Sequence, residues 1–529
     1  MKKKNILLII ILITVQLAFL CYFGCEKKGM HFDELFSYFN TNNSVGRQVY
    51  DRTYLEREDI TKDFYVKDGE EFNYSYVVTL QGYDVHPPVY YLILHTICSF
   101  TKGVFSYWQG LFANILFLSV AIVFIFLSLY EITGNSVVSF VISMFVGINT
   151  GNISNGMFIR MYALLTMWIA INIYLHIRMS KAEDLSKLSW KYIILNGALA
   201  YVGFLTHYFY LVFLFLIEAS FWIPKLFKIK QYYKTIIKYA LSILIFGLLG
   251  VLSFPQCLGH VNSGYRGVEV KSNMFDLSDF GDRISFFGGL LDKFVFGKCL
   301  YLYLLLALLL LITSYCLSKK NKAKFENLSV FVQTILIPTV GYFLISAKAS
   351  LIGEEAMIRY QLPIYGLIIV CVAIIIYECC LLIFKNVKVQ KTVIGIIAFS
   401  FLVISIISLY KGNVFYLYPE QDEMKRIAKE NAGKECVYIY NNDNNKYFLW
   451  NDAEQLWQFD EIYFVDSDNM TPIDETKICN SKDLIVYIST LNKKEDFGKY
   501  ESLIYNSNNN LHSYSKLYDG VYCECYEFK

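Results

Sequence analysis

The chain has 529 residues, of which 55% are hydrophobic, 17% aromatic and only 18% charged, against about 25% charge in soluble globular proteins. This deficit points into a lipid bilayer, while eight prolines and 30 glycines exclude a collagen-like or proline-rich disordered chain. A formal charge of +2 gives no reason to expect a nucleic-acid partner.

A bilayer core about 30 Å thick needs roughly 20 apolar residues per helix. The first run that qualifies, 5–23, follows Lys2, Lys3 and Lys4, and Gly24-Cys25 lacks the small-residue cleavage pattern, so an uncleaved anchor is expected. A polar stretch occupies 26–85. Further apolar runs follow at 106–130, 136–151, 158–178, 190–206, 208–224, 234–255, 296–317, 327–347, 360–384 and 392–410, which predicts eleven spans.

The run 87–100 is short for a span, opens with Pro87-Pro88 and carries His95. Positive charge in the loops decides its placement, because an extra crossing inverts every later loop. If 86–100 lies on the surface, four later basic groups share the side of Lys2 to Lys4. They are Arg178, Lys181, Lys187 and Lys191; Lys225, Lys228, Lys230 and Lys234; Lys319, Lys320, Lys322 and Lys324; and Lys385, Lys388 and Lys391. The expected topology therefore has a cytoplasmic N-terminus and a surface helix at 86–100 on the outer face.

Beyond Lys411 the sequence becomes charged and Asn-rich, with a helix expected from 420 to 431 and strand-like runs at 436–440, 462–465 and 484–488 before a Tyr-rich end at 514–528. The expected fold is thus an α-helical polytopic body, 1–411, with an outer loop at 24–105, followed by a small extracellular α/β domain at 412–529. The 13 cysteines have no metal-type spacing, although Cys436, Cys479, Cys523 and Cys525 fall in the outer tail and could pair.

With that topology, five polar groups gather at the outer face: His31 to Ser37 with Asp33 and Glu34; Asp84 and His86 before Pro87-Pro88; Arg160-Met161-Tyr162; Thr206-His207-Tyr208; and Arg359-Tyr360. Singly, each has an ordinary structural reading. Carboxylates favour a helix start, Asp84 can cap one, the arginines can anchor at the interface, and His207 can pack among aromatic rings. Together they suit chemistry on a phosphorylated lipid, with a base, a possible metal-binding acid, and guanidinium forks for phosphate oxygens.

His31-Phe32-Asp33-Glu34-Leu35-Phe36-Ser37 resembles the acidic motif in the first outer loop of GT-C glycosyltransferases, in the protein O-mannosyltransferase and aminoarabinose-transferase-like branch. Asp84-Val85-His86-Pro87-Pro88-Val89-Tyr90-Tyr91-Leu92 is similar to a stretch of the bacterial members, and Ile159-Arg160-Met161-Tyr162-Ala163-Leu164 to another, with Ile159 where Ala is common. Thr206-His207-Tyr208-Phe209 and Arg359-Tyr360-Gln361-Leu362-Pro363 fall in the family's order. The match covers residues 1–410.

The resemblance implies transfer of a sugar from a polyprenyl-phosphate-linked donor to a cell-envelope acceptor on the outer face, generally with inversion. It marks Asp33 as the general base, with Glu34 as a second catalytic candidate or a group that positions the loop or acceptor. Arg160 and Arg359 are candidates to hold the donor phosphate, while Asp84, His86, Tyr162 and His207 are candidates for substrate or a divalent ion; metal dependence stays open. A lipid-linked glycan carrier or flippase is the other reading, against which stand charges at span ends and no visible repeat; a non-catalytic cell-envelope component is a third. Lys, Asn, Ile and Tyr bias with few Ala and Pro suggests a bacterial plasma membrane. The tail is expected to face the acceptor or a partner, or to serve as a stabilising cap.

Overall fold

A computed structural model describes residues 3–46, 50–182, 184–275, 278–318, 326–440, 453–489, 497–520 and 523–529. Lys2 and the basic group Lys319, Lys320, Lys322 and Lys324 lie outside the described residues. The chain forms two compact units, the first from 1–24, 81–90 and 110–415, the second from 25–80, 91–109 and 416–529.

Eight helices among the described residues are long and apolar enough to cross a membrane, or nine if one bent pair counts as a span. The protein is a multi-pass membrane protein. The eight are Lys3–Glu26, Tyr107–Thr133, Tyr162–Ser180, Phe209–Leu226, Ile229–Ser253, Leu328–Ala349, Leu362–Ile383 and Val387–Tyr410. Of the remaining expected spans, 190–206 and 296–317 form the helices Trp190–Phe204 and Leu300–Ser318. The run at 87–100 forms Val89–Ser99, 11 residues, which is about 16 Å of helix and half a bilayer core.

The expected span at 136–151 is where local chemistry intervenes. Ser136–Ile148 stops and Thr150–Met157 starts again at 52° to it. The hinge is Asn149, whose Oδ1 accepts the N–H of Gly151 at 2.9 Å and so caps the second helix, while its Nδ2 donates to the Val295 carbonyl at 2.9 Å. Thr150, Asn152, Ser154 and Asn155 make the short helix polar, yet it is buried. Several of its polar groups are paired from neighbouring segments: Thr150 donates to the Phe294 carbonyl, Ser154 Oγ accepts the N–H of Phe415 at 2.9 Å, and Asn114 Nδ2 donates to the Gly156 carbonyl at 3.2 Å. Most buried polar groups in proteins are paired in this way. Residues 158–161, including Arg160, are consequently non-helical, and the next helix begins at Tyr162.

In the second unit, six strands form one mixed sheet: β1 (Thr53–Glu56), β2 (Glu435–Tyr440), β3 (Glu461–Asp466), β4 (Leu484–Ser489), β5 (Tyr514–Asp519) and β6 (Cys523–Phe528), in the order β1-β3-β2-β4-β6-β5. Central β2 pairs in parallel with both β3 and β4, and the outer pairings are antiparallel. One face packs Val437, Ile439, Val486, Ile488 and Phe528 with Leu503 and Ile504 of the helix Phe497–Ser507. Tyr438 and Tyr487 alternate with these residues and are also fully buried, so both faces of β2 and β4 are covered and the strands read as continuous apolar runs.

β1 comes from the segment between the first two long apolar helices, not from the tail, and closes one edge of the sheet with Thr53 opposite Phe464 and Glu56 opposite Glu461. The cysteine pairing considered for the tail is not seen: no disulfide joins Cys436, Cys479, Cys523 and Cys525. Cys436 lies on β2 and Cys523 and Cys525 on β6, with β4 between them. Two strand spacings amount to about 9.5 Å, beyond the reach of a disulfide.

Candidate active site

In the first unit, five of the residues singled out from the sequence converge. Asp84 and His86 lie in the turn before Val89–Ser99, and Asp84 Oδ2 accepts a hydrogen bond from His86 Nδ1 at 2.9 Å. Because a carboxylate only accepts, this bond places a proton on Nδ1. Arg160 Nη2 stands 3.3 Å from His86 Nε2 and 3.4 Å from Nδ1, nearly equidistant from the two ring nitrogens. The non-helical stretch after Met157 releases Arg160 from helical spacing and lets it reach this position.

His207, in the turn between Trp190–Phe204 and Phe209–Leu226, has its ring centroid 6.3 Å from that of His86 and 5.4 Å from that of Tyr162. Its Nδ1 accepts the N–H of Phe209 at 3.0 Å, so the neutral ring carries its proton on Nε2. Arg359, in the 3₁₀ turn Glu355–Tyr360, has its guanidinium carbon 5.2 Å from the centroid of the Tyr360 ring, and Tyr360 meets Tyr162 edge-on at 6.3 Å. An aromatic bridge therefore links Arg359 to the His207 side of the cluster.

The electrostatics of this group are divided. Burial raises the cost of ionising Asp84, but His86 and Arg160 outweigh it and hold the carboxyl at about 2. Burial, reinforced by His86 and Arg160, pushes the His207 imidazole down to about 3, so His207 is neutral over the physiological range. The cluster thus offers a fixed anion, a guanidinium, and a neutral imidazole able to donate from Nε2.

His260 joins this group and was not singled out from the sequence. Its Nε2 donates to the Gly82 carbonyl at 3.1 Å and its Nδ1 pairs with the Tyr208 hydroxyl at 2.8 Å. It thereby ties the His207 turn to the chain just before Asp84. A lone histidine some fifty residues after His207 carries no sequence signal for that contact.

Asp33 and Glu34 belong to the second unit. They open the helix Phe32–Asn42, where His31 Nδ1 accepts the N–H of Asp33 at 3.1 Å and Glu34 Oε2 accepts the N–H of His31 at 2.7 Å, a reciprocal capping box. The Asp33 side chain is 17% exposed, with Oδ2 3.6 Å from His31 Nδ1. Glu34 is fully buried and accepts from Lys27 Nζ at 3.0 Å. These two neighbouring acids therefore have different surroundings, one reachable and one sealed.

A divalent ion does not fit the Asp84, His86 and His207 set. Among the described residues no three His, Cys, Asp or Glu side chains converge as metal ligands, and the guanidinium of Arg160 occupies the flank of His86 where a second cation would be repelled.

No family model and no curated protein matches the chain. Its fold, however, has a counterpart among solved structures. It is similar to the solved structure of ArnT from Cupriavidus metallidurans in the apo state, with a TM-score of 0.51 and 10% identity over 98% of this chain and 97% of that one. The structure of ArnT from the same organism bound to undecaprenyl phosphate gives a TM-score of 0.47 at 10% identity, with the same coverage. At this identity the likeness is one of fold.

Proposed function

We propose that the chain is a membrane glycosyltransferase that moves a sugar from a polyprenyl-phosphate-linked donor to a cell-envelope acceptor at the outer face of a bacterial plasma membrane. The observation that carries this reading is the meeting of Asp84, His86, Arg160, Tyr162 and His207, with Arg359 one ring away, in a unit built of membrane helices. Two guanidinium groups near the ends of apolar helices suit a phosphate that arrives on a lipid, because arginine stays charged there and bonds phosphate oxygens in pairs.

In this reading Asp33 takes the proton of the acceptor hydroxyl as that oxygen attacks the anomeric carbon, and the lipid phosphate leaves from the opposite side with inversion. The helix N-terminus under Asp33 favours its anionic form. Arg160 and Arg359 hold the departing phosphate, Asp84 and His86 orient Arg160, and His207 and Tyr162 border the sugar. Glu34, sealed against Lys27, holds the loop rather than reacting. The N-terminus is cytoplasmic, and the body and the tail after Lys411 act as transferase and extracellular module.

The test is transfer from labelled polyprenyl-phosphate sugars by the purified protein. Asp33→Asn is expected to abolish transfer without loss of folded protein, and retained transfer would reject the base assignment. Arg359→Ala is expected to raise the donor KM by about 10- to 100-fold, the value of a lost charge-assisted bond; an unchanged KM would make Arg359 a structural anchor.

A further inference from the structure

The segment that leads into the Asp33 helix is fastened, residue by residue, to the C-terminal part of the second unit. Lys27 Nζ, fully buried, donates to Glu34 at 3.0 Å and to the Tyr416 carbonyl at 2.6 Å. The N–H groups of Lys28 and Gly29 both donate to the Leu417 carbonyl, at 2.7 and 3.3 Å. The Met30 N–H donates to Glu454 Oε2 at 3.0 Å, and Gln421 Nε2 donates to the Met30 carbonyl at 3.2 Å. Lys425 donates to the Lys28 carbonyl and stands 3.2 Å from Glu454 Oε1, which also accepts from the Tyr107 hydroxyl.

Packing enforces the same register. A Cβ on Gly29 would lie 2.2 Å from Gln421 Oε1 and 2.8 Å from Gln421 Cβ, so only glycine lets the segment sit this close to the tail. A domain that merely covered the loop would need apolar contact alone. Here Glu34 and Glu454 are buried with lysine partners, an arrangement that is costly to desolvate. Besides these side-chain partners, Glu454 accepts the Met30 N–H and Glu34 the His31 N–H, so part of the desolvation cost is spent on where that backbone lies.

We propose that the C-terminal module positions the catalytic base: Glu454, with Lys425 and Tyr107 beside it, is a positioning residue that holds 28–31 so that Asp33 is presented in one place. This rests on the reading of Asp33 as the base. A reacting group displaced by about 1 Å loses about 100-fold in rate, so the fastening acts on turnover while leaving donor binding to the arginines.

The experiment uses full-length protein in nanodiscs with two readouts, hydrogen exchange of the amides of 28–31 and steady-state transfer from a labelled polyprenyl-phosphate sugar. Glu454→Ala is expected to speed exchange at 28–31 by about tenfold or more, without faster exchange in β2 and β4, and to lower kcat by about 10- to 100-fold with the donor KM within about twofold. Glu454→Gln keeps an acceptor for the Met30 N–H and is expected to recover most of both. Unchanged exchange at 28–31, an unchanged kcat, or faster exchange throughout the sheet would each overturn the proposal. Should the alanine variant not fold, Lys425→Gln is measured in the same two ways, and the same outcomes support or overturn the proposal. Asp33→Asn separates the failures: normal transfer by Asp33→Asn rejects the base assignment, whereas an inactive Asp33→Asn beside a normal Glu454→Ala rejects only the positioning role.

Discussion

Each unit contains a charged cluster, and the two are built on opposite plans. In the first, the Asp84 and His86 side chains are 18% and 21% exposed and face the Arg160 guanidinium. In the second, Lys27 and Glu34 are both 0% exposed, and Glu454 is sealed beside Lys425. Burying a charge is tolerated only when its partners are fixed and complete, so the sealed cluster suits the holding of a backbone. The part-exposed Asp84 and His86 leave one edge of the first cluster within reach of an arriving ligand, while Arg160 and Arg359 are themselves buried. Similar residue types thus serve different ends, and that exposed edge is what separates the two clusters.

The largest expected effect tests the sealed cluster. Lys27→Ala leaves Glu34 buried without its ammonium partner and is expected to cost about 3–5 kcal/mol, read as a lower Tm and a loss of folded protein on purification. Next comes the open cluster, where His86→Ala is expected to lower kcat/KM by about 10- to 100-fold through loss of a bond to a charged partner, with Tm little changed. Equal losses of Tm in Lys27→Ala and His86→Ala would erase the contrast between the two clusters.

A smaller effect concerns pH. Burial pushes the Glu454 carboxyl up to about 8, with Lys27 opposing, from an ordinary value of about 4.5. The folded state therefore holds a proton that the unfolded chain has released between those values, and this contribution is fully present below about 4.5 and lost as pH rises through about 8. Thermal unfolding from pH 5 to 9 is expected to show a decline in Tm that flattens in Glu454→Gln. Asp84, held at about 2, adds no inflection in that range. The smallest effect is expected at the exposed pairs of Arg426 with Glu423 and Glu430, where Arg426→Ala leaves Tm unchanged within error.

Much of the membrane body was legible because an apolar run long enough to span is a local property. All eleven expected runs contain helix, and the two-proline start of 87–100 correctly marked a short one. The run at 136–151 is helical as expected but bent, since hydropathy averaged over the window hides one asparagine that caps a new helix at 52° to the first. In the same way the motif groups named Asp84, His86, Arg160, Tyr162 and His207, which meet, but nothing nearby in sequence announced His260, whose partners lie at 82 and 208. The edge strand 53–56 was equally hidden: four residues in a polar loop carry too short a pattern to reveal a partner four hundred residues away.

By itself the sequence determined that this protein lives in a membrane, where its helices run and which polar motifs interrupt them, because bilayer burial selects contiguous apolar stretches and caps act within a turn. Only the tertiary structure decided which polar side chains meet. Asp33 and Glu34 are adjacent in sequence and alike in charge, yet Glu34 is closed off by Lys27 while Asp33 keeps a reachable face. That difference depends on an ion pair and a packed tail brought together by long-range folding, and no local pattern encodes it.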